Sequence, residues 1–129
     1  MPKTMQDFVA EAREKTGGSI SPGDAEGLVL DVREAHELAD DGRVPDALHV
    51  ARGYLEAKAD LTNEGGEKAL HAAQAEGRPV HVLCASGARA SLAAATLTEM
   101  GYVARPIEGG LKGWREAGRP VEGGKGRHR

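Results

Sequence analysis

The sequence predicts an α/β domain built on a mainly parallel sheet, because short apolar runs alternate with helix-like segments and each run is closed off by Gly, Pro or charge. The last two helix-like segments stop at Gly101 and Gly118, where a left-handed cap favours glycine. In chain order, Met5, Phe8, Val9 and Ala12 follow helical spacing, with Thr4 placed to cap that helix and Gly17-Gly18 to end it. This opening helix is expected to pack on the body of the domain. Buried strands are expected at residues 28–32 (LVLDV), 47–51 (ALHVA), 80–84 (VHVLC) and 102–107 (YVARPI), and Ser19-Ile20 adds a very short fifth. Helices are expected at 34–40, 53–61, 67–76, 88–100 and 111–117. A sheet of five strands with helices on both faces accommodates this alternation.

With 129 residues and 13.5 kDa, the chain has the size of one domain able to bury its own core. Residues 1–18 are read as the packing helix, 19–122 as the domain proper, and 123–129 (GGKGRHR) as a tail with nothing to bury. One cysteine cannot form an internal disulfide, and His36, His49, His71, His81 and His128 show no ligand spacing, so no structural metal or other cofactor is expected. The first residues are charged and periodic rather than an apolar signal core, and no segment approaches spanning length. A cytoplasmic protein without a membrane partner is the expectation. A net charge of -3 and an aromatic content of 3% leave neither a basic footprint nor rings for base stacking, which argues against nucleic acid.

The chemistry concentrates in HVLCASGARAS, residues 81–91. Ligands of open parallel sheets bind beyond the carboxyl ends of strands, and Cys84 stands at the end of such a run. Four small residues, Ala85, Ser86, Gly87 and Ala88, then lead into a helix. Small side chains let backbone N–H groups form an anion-binding nest, and the helix dipole adds positive potential there. Reactive cysteines at helix N-termini titrate at roughly 3.5 to 7.5, against about 8.5 for a free thiol. A helix terminus worth ~0.3 to 1 kcal/mol supplies only part of that difference, so loop amides and the Arg89 guanidinium have to supply the rest. The alternative is a small buried hydrophobe, a common role for a lone cysteine.

Four segments in order resemble the single-domain rhodanese-like sulfurtransferases. CASGAR (84–89) is similar to the family's six-residue active-site loop, LVLDVREAHEL (28–38) to its first signature, GRVPDALHVARGYLE (42–56) to the segment that follows, and IEGGLKGWREAGRPVE (107–122) to its C-terminal signature. Asp46 replaces a usual glycine, and Ala90 stands where serine often follows the arginine. The resemblance implies a rhodanese-like fold and a ping-pong sulfurtransferase that needs no cofactor. Cys84 would take the outer sulfur of thiosulfate or a persulfide and pass it to cyanide or a thiol. The lone thiol suits this chemistry, since dithiol redox exchange needs a resolving partner. The resemblance further implies that the loop from Ala85 to Ala90, with Arg89, lines the donor site.

Arg89 has two readings, donor contact or a pin between the loop and nearby carboxylates. Ser86 could bond an anion or its own turn, and Gly87 is expected at positive φ. Arg52, after the second strand, is a weaker candidate for the same mouth. Asp31, Arg33 and Glu37 are read as a mainly structural charge network, and Trp114 as core or half-buried packing. A cysteine phosphatase is the enzymatic rival, but its loop places five residues between cysteine and arginine where this one has four. A persulfide carrier serving a protein acceptor, or a non-catalytic interaction module, are the remaining alternatives.

Overall fold

The computed structural model describes residues 1–125. Helix α1 (Met5–Thr16) leads into β1 (Leu28–Asp31), α2 (Ala35–Asp41) and β2 (Leu48–His49). There follow α3 (Leu55–Ala59), α4 (Lys68–Glu76), β3 (Val80–Leu83), α5 (Ala88–Glu99), β4 (Ala104–Pro106) and α6 (Gly110–Glu116). The four strands are all parallel, in the order β2-β1-β3-β4. Their side chains alternate between two cores. Leu30, Val80 and Val82 face α3, α4 and α5, whereas Val29 and Leu83 face Leu111 and Trp114 of α6.

The expected fifth strand shrinks to one parallel bridge, Ile20 with Ile107, held by Ile20 N–H to Pro106 O and Glu108 N–H to Ile20 O, both 2.8 Å. Gly17 and Gly18 precede it at positive φ, and Pro22 opens a 3-10 turn just after it, so the extended segment has no length to grow. The remaining strands are shorter than their apolar runs, most of all β2. Its bonding nevertheless continues through Val50 N–H to Asp31 O and Arg52 N–H to Val32 O.

Thr4 caps helix α1 as expected, in a capping box with Asp7 as the reciprocal partner, and the helix ends on Gly17 in the left-handed region. It lies against α5, with Val9 and Ala12 buried. Met5 and Phe8, read as part of the packing face, stay half-exposed at 58% and 49%, and Lys3 lies over the Phe8 ring. Trp114 is buried as expected, donating to Pro120 O and carrying Arg119 on its ring face. Asp46 adopts φ 64, the one non-glycine residue at positive φ among those described, and thereby makes the turn for which glycine is usual. Residues 123–125 of the expected tail have contacts, since Lys125 pairs with Asp40 after the antiparallel Arg43–Glu122 bridge. Residues 126–129, including His128, lie outside the described residues. No helix among the described residues is long and apolar enough to cross a membrane.

Candidate active site

Central strand β3 ends at Leu83 and delivers Cys84 to the carboxyl edge of the sheet, where its side chain is 1% exposed. The chain then turns through Ala85 and Ser86 to Gly87, which sits at φ 120 and starts α5. That conformation, open to glycine and strained for other residues, bends two amides back onto the thiol. Gly87 N–H donates to Cys84 Sγ at 3.0 Å and Ala90 N–H donates at 3.3 Å. The amides of Ser86, Ala88 and Arg89 donate to no group among the described residues. The sulfur thus sits at the N-terminus of a twelve-residue helix, with unspent donors beside it.

The loop is fixed from three sides. On one, α6 closes over its backbone: Leu111 N–H donates to Cys84 O at 2.8 Å and Lys112 N–H reaches Ala85 O at 3.4 Å. Gly110 makes this approach feasible, because a Cβ there would lie 2.5 Å from Cys84 O. On the second, Arg89 forks onto Glu37 of α2, with Nη1 to Oε2 at 2.8 Å and Nη2 to Oε1 at 2.9 Å. Those bonds drive the Glu37 carboxyl down to about 2 against the cost of burial, and raise Arg89, with a smaller contribution from Cys84. On the third, buried Ser91 donates its hydroxyl proton to Gly87 O at 2.8 Å.

Behind the loop, Arg33 and Asp31 form a fully buried pair. Arg33 Nε and Nη2 both reach the carboxylate, and Nη2 also donates to Gly42 O. Glu37 therefore belongs less to this pair than expected: Arg33 meets only its backbone oxygen, at 3.5 Å, while the carboxylate serves Arg89. Ser86 is exposed, and its hydroxyl does not bond its own turn, since it makes no hydrogen bond among the described residues. Arg52 is not brought to the thiol. Its guanidinium donates to Glu56 and to Thr96, two turns along α5. Ser91 and Gly110 were not singled out in the sequence, although the doubled glycine at 109–110 marked a place where backbones could meet.

A model of the Rhodanese-like domain matches residues 17–117. The chain belongs to the rhodanese-like family. Among its relatives, the "Putative sulfurtransferase YtwF" of Bacillus subtilis (strain 168) is 28% identical over 97 residues, covering 75% of this chain and 82% of that protein. A rhodanese-related protein from Thermoplasma volcanium superimposes with a TM-score of 0.63 at 28% identity, over 81% of this chain and 96% of that one. A protein of unknown function from Rhodopseudomonas palustris CGA009, named "Possible Tyrosine Phosphatase", superimposes with a TM-score of 0.81 at 29% identity, over 95% of this chain and 99% of that one. As a rhodanese-like domain, the chain has its thiol, loop and α6 inside the matched segment, while α1 precedes it.

Proposed function

We propose that this rhodanese-like domain is a sulfurtransferase that carries sulfane sulfur on Cys84. The observation that carries the reading is the thiol itself, held at a helix N-terminus by two backbone N–H donors with further amides unspent around it. In the first half-reaction the Cys84 thiolate attacks the outer sulfur of thiosulfate; the sulfur–sulfur bond breaks and sulfite leaves with the electron pair. A persulfide donor reacts in the same way and releases its thiolate. In the second half-reaction cyanide or a thiolate attacks the terminal sulfur of the Cys84 persulfide, giving thiocyanate or a new persulfide and restoring Cys84. The amides of Gly87 and Ala90 stabilise the anionic sulfur, those of Ser86, Ala88 and Arg89 receive the donor's negative charge, and Arg89 holds the loop through Glu37. Arg52 has no part in this site. A dedicated protein acceptor in place of a small thiol would leave both half-reactions unchanged.

The relative named for tyrosine phosphatase calls for a comparison with phosphoryl transfer. Two features disfavour it: only Ala85 to Ala88 lie between Cys84 and Arg89, and the Arg89 fork that would clasp a phosphate is occupied by Glu37. The test exposes the protein to thiosulfate and to alkyl persulfides and reads the intact mass. A gain of one sulfur atom, lost again on adding cyanide and absent in Cys84→Ser, is the expected result. An unchanged mass with every donor, or Cys84-dependent release of phosphate from an aryl phosphate faster than sulfur transfer, would overturn the assignment.

A further inference from the structure

Three consecutive hydrogen bonds join α1 to the reactive sulfur. Arg13 Nε donates to Ser91 Oγ at 3.4 Å, Ser91 Oγ donates to Gly87 O at 2.8 Å, and Gly87 N–H donates to Cys84 Sγ at 3.0 Å. Arg13 lies on the helix that precedes the family-matched segment, so this link adds to the elements that define the domain. We infer that Arg13 is a positioning residue for Cys84, acting through Ser91 and Gly87. The inference rests on the proposed role of Cys84 as nucleophile, but its test does not depend on sulfur transfer.

The chemistry of the middle link makes the chain directional. A serine hydroxyl is one donor and two acceptor sites on a free rotor, whereas a guanidinium only donates. With Arg13 donating to Oγ, the Ser91 proton is left to point at Gly87 O, which already accepts Ser91 N–H at 3.0 Å. That doubly held carbonyl pins Gly87 at φ 120, and this conformation aims the nearer of the two amides at the sulfur. Polarisation by the cation reaches the Gly87 carbonyl and stops there, because Gly87 C=O and Gly87 N–H belong to different peptide units; the last step to the sulfur is conformational, through the fixed Gly87 backbone. Ser91 is buried at 1% exposure, so water does not readily replace Arg13 at the hydroxyl. Arg13 forms no salt bridge among the described residues that would cancel its charge. The other charged groups on elements around the loop are Arg89 with Glu37 and Glu34, the Arg33–Asp31 pair behind it, and Lys112, Arg115 and Asp41, which share a cleft with Ala85. Arg13 is the one that enters through a hydroxyl.

The chain's single cysteine makes the test direct, because the thiolate absorbance of the whole protein, less that of Cys84→Ser, reports this sulfur alone. That absorbance is followed against pH in wild type, Arg13→Ala, Ser91→Ala and the double variant, with melting temperatures recorded alongside. Arg13→Ala should lower the thiolate-to-thiol ratio at a given pH by roughly two- to five-fold, the effect of one partly exposed charge. Ser91→Ala should shift the profile in the same direction, and adding Arg13→Ala to it should change little more. Arg13→Lys, which keeps the charge but not the Nε donor, should recover only part of the shift. An unmoved profile in Arg13→Ala, with or without a lower melting temperature, would overturn the inference, as would fully additive shifts in the double variant. Failure of sulfur transfer in a protein whose profile moves as described would count against the proposed function and leave this link intact.

Discussion

Arg89 and Glu37 meet fork to fork, at 2.8 and 2.9 Å, so the one cation of the cysteine loop is anchored to α2. Arg89→Ala should therefore lower kcat/KM for thiosulfate and for a neutral persulfide by the same factor, together with the melting temperature. A loss confined to the dianion would show direct donor contact instead. The pair also sets an acid limit. The Glu37 carboxyl lies at about 2 in the fold and near 4.5 when unfolded, so its stabilisation is complete above about 4.5 and is lost as pH falls from there toward 2. Glu37→Gln should cost about 1 kcal/mol at neutral pH, as befits a partly exposed pair, and flatten that acid segment of the stability curve. Urea midpoints measured across the range check both.

The Asp31–Arg33 pair is buried on both sides and ties β1 to Gly42 O, so its removal should act quite differently. Asp31→Asn leaves the Arg33 charge in the interior with its carboxylate gone, and ~3 to 5 kcal/mol of stability should go with it. Denaturant unfolding reads the loss, and a cost below that of Glu37→Gln would show that water reaches Arg33.

Much of this was legible in the sequence because the signals were local. The alternation of apolar runs and helix-like segments located β1 to β4 and α1 to α6, though not the 3-10 turn at Pro22–Asp24, and Cys84 before a run of small residues located the loop. Strand lengths were not legible, since they depend on partners: Ser19-Ile20 could be read as extended but not as limited to one bridge with Ile107. The partners of charged groups escaped for the same reason. Glu37 sits four residues from Arg33, which made a local network the natural reading, yet its carboxylate faces Arg89, 52 positions away. Arg13 and Ser91 are 78 apart, and no periodicity connects them.

His81 carries a second pH dependence. It lies in the middle of β3 with Nδ1 unpartnered, and burial, followed by the nearby Arg105 charge, lowers its pKa below the usual 6.5. A lowered histidine binds fewer protons in the fold than in the unfolded chain, so stability is complete above about 6.5 and declines as pH falls through that value. Urea midpoints should fall on going from neutral to mildly acidic buffer, well before Glu37 titrates. His81→Leu should remove this segment of the curve; an identical slope in the variant would assign it to another group.

Gly110 and Gly118 both adopt left-handed backbone, at φ +59 and φ +77, but only Gly110 is crowded. A Cβ on Gly118 meets nothing within 4 Å, so Gly118→Ala should cost only the conformational penalty of ~1 to 2 kcal/mol and leave the thiol untouched. A Cβ on Gly110 would stand 2.5 Å from Cys84 O and 2.6 Å from both C and O of Ala85. All three obstacles are backbone atoms of the loop, and they cannot swing aside as a side-chain tip would. Either α6 lifts off, losing the Leu111 and Lys112 hydrogen bonds to those carbonyls, or the peptide between Cys84 and Ala85 moves and carries Sγ away from the Gly87 and Ala90 amides. Gly110→Ala should thus destabilise the protein more than Gly118→Ala and also slow persulfide formation at Cys84, although it alters no atom that touches the sulfur. Melting temperatures and the rate of sulfur loading by intact mass, compared between the two variants, decide the matter. Equal losses in both would mean that the contact of α6 with the loop does not hold the thiol in place.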